Sequence, residues 1–182
     1  MVASAPKLSI LDKARLYNPK TGYIKTANSF RINQALRTNN FDSLNSESQE
    51  TIELLDTKVK EFTLDSDIIA TRYEKPAMLA DLLKQNNLLD EAVEDLQELF
   101  MDNDFNYSNP GYTSASLLKD ANVMSNRPIE VAIKLPKGHS LYLTDNVNES
   151  EVILKRNGEY RVTNFEIIDQ KLKLTMEVVV DG

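Results

Sequence analysis

The chain has no cysteine and a single histidine, His139. The first absence removes disulfides, thiolate nucleophiles and cysteine-based metal sites together. The second rules out histidine-rich zinc sites, and a Ser-His-Asp triad would have to use His139 alone. His139 closes Pro136-Lys137-Gly138-His139, which reads as a turn, so it is taken as a turn or surface histidine and no metal site is expected. A basic excess is also lacking. The 21 lysines and arginines face 28 aspartates and glutamates, giving a net charge of −7 and a pI near 4.8. Non-specific binding to nucleic acid or to an anionic membrane needs a basic face, so neither is expected as a partner. A basic pocket around a phosphate ligand remains compatible with this charge. No stretch approaches the roughly 18 apolar residues of a membrane span. Met1-Val2-Ala3-Ser4-Ala5-Pro6-Lys7 is not a secretory signal, because no apolar run follows a basic start. There are no repeats and no low-complexity tract.

What is present suits a soluble globular chain: 182 residues, 41% hydrophobic and 27% charged. A single domain over 1–182 is expected. Its first part, 1–65, reads as helical. Leu8, Ile10, Leu11, Ala14 and Leu16 make one stripe, and a turn at Asn18–Tyr23 precedes Ala27–Arg37 with Phe30, Ile32 and Leu36. Ser46 followed by Gln49 forms a capping box for a helix carrying Ile52, Leu54, Leu55, Val59 and Phe62. The remainder, 66–182, is strand-rich: Asp67–Tyr73, Gly111–Leu117, Ile129–Leu135, Ser140–Thr144, Asn164–Ile168 and Lys171–Val180. A helical insertion at 77–100 splits at Asn86-Asn87, its second helix burying Leu89, Ala92, Val93, Leu96 and Leu99, and Asp102–Pro110 is a polar loop. Asn157-Gly158 predicts a hairpin pairing Val152–Arg156 with Glu159–Thr163. If the strand begins early enough, Glu149 and Glu151 share one face. The fold class is α+β.

Three features then stand out in order along the chain: Arg72 ending a strand, Ser114-x-Ser116 on the next, and Glu149-x-Glu151 opening a later one. With them, the sequence resembles the ADP-ribosyltransferase exoenzyme family of the Arg-Ser-Glu class, which includes the C3-like exoenzymes and the actin-modifying binary toxins. Phe30-Arg31-Ile32-Asn33-Gln34-Ala35-Leu36-Arg37 is similar to its I-N-x-x-L-R helix, Gly111–Ser116 to its G-F-x-S-T-S strand, and Glu149–Asn157 to its E-x-E-x-L-L-x-R-N stretch. The resemblance implies N-terminal helices packed on a mixed, mostly antiparallel, two-sheet β core.

It also implies a reaction. NAD is the substrate, and its nicotinamide–ribose bond breaks through an oxocarbenium-like ribose, as in glycoside hydrolysis. By resemblance Arg72 pairs with the NAD phosphates, a task suited to a guanidinium fork. Ser114 fixes the rotamer of Glu151, and Ser116 supports it from the same face. Glu151 binds the ribose 2′-hydroxyl and stabilises the developing positive charge. Glu149 faces the acceptor; glutamate at that position goes with arginine as the modified side chain. Backbone groups at Arg72 and Tyr73 and the loop Leu118–Asn126 are expected to help hold nicotinamide and adenine, with the N-terminal helices covering adenine through Asn33 or Arg37. The partners implied are NAD and a protein modified on arginine, with actin one candidate among others, for an enzyme acting as a monomer. It would be secreted or delivered into a target cell without a classical signal, or phage-borne. Two alternatives stay open: an NAD glycohydrolase, and a non-catalytic phage head-associated module on the same fold. The sequence departs from the family at Ala115, which points away from Ser114 and Ser116, and at Thr71, where an aromatic is common. The loop before Glu149 is short and lacks a target-gripping aromatic. Tyr142 is read as an ordinary strand aromatic.

Overall fold

A computed structural model describes residues 8–117, 126–144 and 150–179. Three helices come first: α1 (Ile10–Leu16), α2 (Asn28–Arg37) and α3 (Ser46–Lys58). Strands β1 (Phe62–Thr63) and β2 (Ile68–Glu74) follow, then α4 (Ala77–Gln85) and α5 (Val93–Asp102). The rest is strand: β3 (Phe105–Asn109), β4 (Thr113–Ser116), β5 (Ile129–Leu135), β6 (Ser140–Leu143), β7 (Glu151–Leu154), β8 (Gly158–Ile168) and β9 (Lys171–Val178).

Strand order is β1-β6-β7-β4-β2-β5-β9-β8-β3. Every pairing is antiparallel except β5 with β9, so the expected mixed, mostly antiparallel α+β architecture is borne out. Between β2 and β4 the ladder narrows to one registered pair, Thr71 opposite Ser116. This seam separates β1-β6-β7-β4 from β2-β5-β9-β8-β3.

Two apolar clusters lie on the faces this alternation creates. In β5, Ile129, Val131, Ile133 and Leu135 are buried while Lys134 is exposed; branched side chains at period two fill one face. They pack with Leu82 of α4, Leu96 of α5 and Ala115, Val152 and Leu154. The opposite face of β7 and β6 offers Ile153 and Tyr142, which join Ile32 and Leu36 of α2, Ile52 and Leu55 of α3, and Val59 just after it. Tyr142 is thus an ordinary strand aromatic, and Ala115 faces away from Ser114 and Ser116 as expected.

Several local expectations are corrected. Asn157-Gly158 does not close a hairpin. Both edges of β7 are taken, by β4 and β6, and β8 lies in the other half beside β9 and β3. Only Asn157 is left-handed (φ 61°), where a type I′ turn needs two such residues. The two-residue turn with both φ positive is Asp169-Gln170 (51° and 66°), joining β8 to β9. The cap of α3 is Asn45, whose side chain accepts the Ser48 amide at 2.8 Å, while Gln49 reaches back to the Leu44 carbonyl. The second helix of the insertion starts only at Val93, leaving Leu89 and Val93 exposed. Ile10, Leu11 and Phe30 are exposed as well, and Phe62 lies in β1 rather than in α3. The predicted polar loop 102–110 contains β3, which pairs with β8 at the edge of the sheet, and 159–168 is one strand bulged at Val162/Asn164.

Candidate active site

The site is built where the seam meets the helical layer. Arg72, two residues before the end of β2, has a side chain only 17% exposed. Its Nη1 donates to the Ser114 carbonyl at 2.5 Å, and its Nε donates to the Glu74 carboxylate. Burial opposes its charge; Glu74, by charge and hydrogen bond, with Tyr107 and Tyr23, nonetheless leaves the guanidinium above the ordinary arginine value. Arg72 therefore ties β2 to β4 across the narrowest point of the sheet. Thr71, buried at that point, stands opposite Ser116.

Strand β4 places Ser114 and Ser116 on one face. Ser116 is 3% exposed and stands opposite Glu151, and Ser114 opposite Ile153, so Glu151 lies diagonal to Ser114 on that same face. Ser150, just before Glu151, is left-handed (φ 44°), and its carbonyl accepts the Leu117 amide at 3.1 Å. The Thr144 amide donates to the Glu151 carbonyl at 3.0 Å. Strand β7 begins at Glu151, and Glu149 lies outside the described residues together with 145–148. So do residues 118–125 of the loop expected around nicotinamide.

Asn33 lies half-buried in the middle of α2. Its Nδ2 donates to the Tyr23 hydroxyl at 3.0 Å and its Oδ1 accepts the Tyr112 amide at 2.8 Å. Gly111 permits this contact: a Cβ there would come within 2.8 Å of the Asn33 Oδ1. One helical turn on, Arg37 donates to Asn109 at 3.3 Å and lines a cavity of about 410 Å³ with Asn39, Phe41, Pro110, Arg156 and Asn157. Tyr73 is placed apart from this group, its hydroxyl on Glu130 at 3.0 Å and its carbonyl receiving Arg127.

The residue missed in the sequence is Tyr23. It lies in the loop before α2, is 4% exposed, and is hydrogen-bonded by the side chains of Asn33 and Ser114. Burial pushes its hydroxyl above the usual tyrosine range; those two hydrogen bonds and the Arg72 charge pull it down, and the Glu151 charge pushes it up. Asn33 and Ser114 thus share one phenol, on which the charges of Arg72 and Glu151 also act. A tyrosine in a Gly-Tyr turn carries no periodic or motif signal that would have marked it. Its ring stands edge-on to Tyr112 at 5.3 Å. The Tyr112 hydroxyl in turn donates to Asp56 at 2.5 Å, and Asp56 accepts Arg156 at 3.0–3.1 Å.

Among the described residues no group of three or more His, Asp or Glu could hold a metal ion, and no helix is long and apolar enough to cross a membrane. His139 sits in a turn, with its amide on the Pro136 carbonyl.

Comparison with known proteins bears on this arrangement. The family model described as ADP-ribosyltransferase exoenzyme matches residues 6–181. The chain is 28% identical over 199 residues to the epidermal cell differentiation inhibitor of Staphylococcus aureus, covering 96% of this chain and 75% of that protein. C3stau2 from S. aureus, solved with NAD, is 26% identical with a TM-score of 0.72, over 96% of this chain and 89% of that one. Plx2a, an ADP-ribosyltransferase toxin from Paenibacillus larvae, shares the fold at a TM-score of 0.74 and 22% identity, over 95% and 88% of the two chains.

Proposed function

Since the chain belongs to the ADP-ribosyltransferase exoenzyme family, and so uses NAD to transfer ADP-ribose, we propose that it modifies an arginine side chain of a target protein and releases nicotinamide. The observation that supports the site assignment is that three adjacent strands bring Arg72, bonded to the Ser114 carbonyl, and Glu151, on the same β4–β7 face as Ser114, to one place. In this reading Glu151 takes the ribose 2′-hydroxyl and stabilises the positive charge that develops as the glycosidic bond opens. Ser114 and Ser116 hold its carboxylate. Arg72, braced by Glu74, sets the shape of β4 and presents its remaining N–H groups to phosphate oxygens.

The adenosine end fits the cavity beside Arg37. The guanidinium of Arg37 and the ring of Phe41 supply the stacking and phosphate-facing groups there. Glu149 is assigned to the acceptor. A guanidinium is a poor nucleophile while charged, and a neighbouring carboxylate can orient it and take its proton during attack. An intracellular target reached as a toxin or effector accords with the exoenzyme family.

The test is incubation with labelled NAD and a cell lysate. The reading expects labelled protein bands, lost in Glu151→Gln by about a thousandfold in rate, the scale at which charge stabilisation of a transition state operates. Glu149→Gln should abolish transfer to arginine yet leave NAD hydrolysis. Free ADP-ribose without labelled protein would instead favour the glycohydrolase. Transfer to arginine that survives Glu149→Gln would remove the role given to that residue.

A further inference from the structure

Resting on the transferase reading, we propose that Tyr23 is a positioning residue whose hydroxyl hands a fixed hydrogen-bond direction from Asn33 to Ser114, leaving the Ser114 proton for Glu151.

The direction follows from counting donors. The Tyr112 backbone N–H can only donate, and it points at the Asn33 Oδ1 at 2.8 Å. The asparagine amide is thereby fixed with Nδ2 as the group facing Tyr23, at 3.0 Å, and Nδ2 can only donate. The Tyr23 oxygen is an acceptor in that bond. Its own proton needs another destination, and Ser114 is its other side-chain hydrogen-bond partner. Were Ser114 also to donate to Tyr23, the phenol would carry three hydrogens and its own proton would be buried without a described acceptor. With Tyr23 donating to the Ser114 Oγ, the phenol both accepts from Asn33 and places its own proton. The serine hydroxyl then has one proton left to give, and Glu151 lies on its face, diagonal across β4 and β7.

The Tyr23 ring cannot turn away from this duty. It is 4% exposed and wedged edge-on against Tyr112, itself tied to Asp56. A carboxylate that receives a directed hydrogen bond stays ionised to lower pH and keeps one rotamer. The chain Tyr112–Asn33–Tyr23–Ser114 thus makes a backbone amide of β4's own lead-in the origin of the order at Glu151.

Tyr23→Phe keeps the ring and deletes the hydroxyl. Its kcat for NAD cleavage should fall about tenfold or more, with little change in the KM for NAD. The acid limb of its pH profile should move up by about one pH unit. Ser114→Ala should move the limb in the same direction, and the double variant should be no worse than Ser114→Ala alone, because both act through one proton. Asn33→Asp still accepts the Tyr112 amide but draws the Tyr23 proton away from Ser114, so it should raise the same limb even if its affinity for NAD changes. Wild-type kcat and an unshifted limb in Tyr23→Phe, or full additivity in the double variant, would overturn the proposal while Glu151-dependent turnover left the transferase reading intact. A wild-type protein that does not consume NAD, or a Glu151→Gln variant as active as wild type, would bring down that reading and this proposal with it.

Discussion

Asp56 illustrates how much one side chain can organise. It accepts from the Tyr112 hydroxyl and twice from Arg156, joining α3 to the lead-in of β4 and to the end of β7. Hydrogen bonds to a charged group contribute more than neutral ones. Asp56→Ala should therefore cost about 2 kcal/mol in a urea melt, despite lying far from Glu151. The Tyr112 hydroxyl would fall back on the Ile52 carbonyl, which it already touches at 3.1 Å. Nothing in the local sequence marks Asp56, because its arginine partner is 100 positions away. The same holds for Tyr23. Arg72, Ser114, Ser116 and Glu151 could be read because each sits in a strand with a recognisable neighbourhood. The residues that orient them reach in from other elements and leave no pattern of their own.

Among the elements, those with uninterrupted periodicity were legible to the residue. The alternation of Ile129, Val131, Ile133 and Leu135 defined β5, and Ala77–Gln85 matched α4 at both ends. Errors collect where a local signal competes with a distant partner. Asn157-Gly158 looks like a hairpin, yet β7 has no free edge for β8, so Asn157 serves only to send the chain across the seam. A left-handed residue other than glycine or asparagine costs about 1–2 kcal/mol. Asn157→Ala should lose stability on that scale in denaturant unfolding, and Asn157→Gly should lose little. The start of α3 offers a paired comparison. Asn45→Ala should cost about 1 kcal/mol, whereas Ser46→Ala, inside the helix, should be close to neutral. If the two effects were reversed, the capping box at Ser46 would be reinstated.

At the level of the whole molecule, the acidic charge says little about the site, which carries its own buried cation. A stronger signature is the number of protected phenols. Five of the seven tyrosines, Tyr23, Tyr107, Tyr112, Tyr142 and Tyr160, have their hydroxyls pushed above the usual range, in each case first by burial. Tyr107 and Tyr142 reach about 12. In the unfolded chain tyrosines ionise near pH 10. Above that pH the unfolded state sheds protons that the folded state keeps, so stability falls as pH rises from about 10 towards 12. Urea midpoints measured across this range should drop steadily, and ultraviolet absorbance should show phenolate appearing together with unfolding. A flat stability curve there would mean that these hydroxyls are reachable by water.

The narrow join between β2 and β4 has a mechanical meaning. A sheet bonded along its full length resists torsion; one held by Thr71 and Ser116, with Arg72 as a brace, has a compliant axis there. The groups assigned to NAD sit astride that axis, Arg72 for the phosphates on one side and Glu151 for the ribose on the other. A ribose that flattens as its bond to nicotinamide stretches could be followed by a small tilt of β4 and β7 against β2, with no ladder to break. Amide protons along the β2–β4 border should then exchange with solvent sooner than those along the seven-pair border of β2 with β5. Arg72→Lys, which keeps the charge but loses the planar fork, should widen that difference.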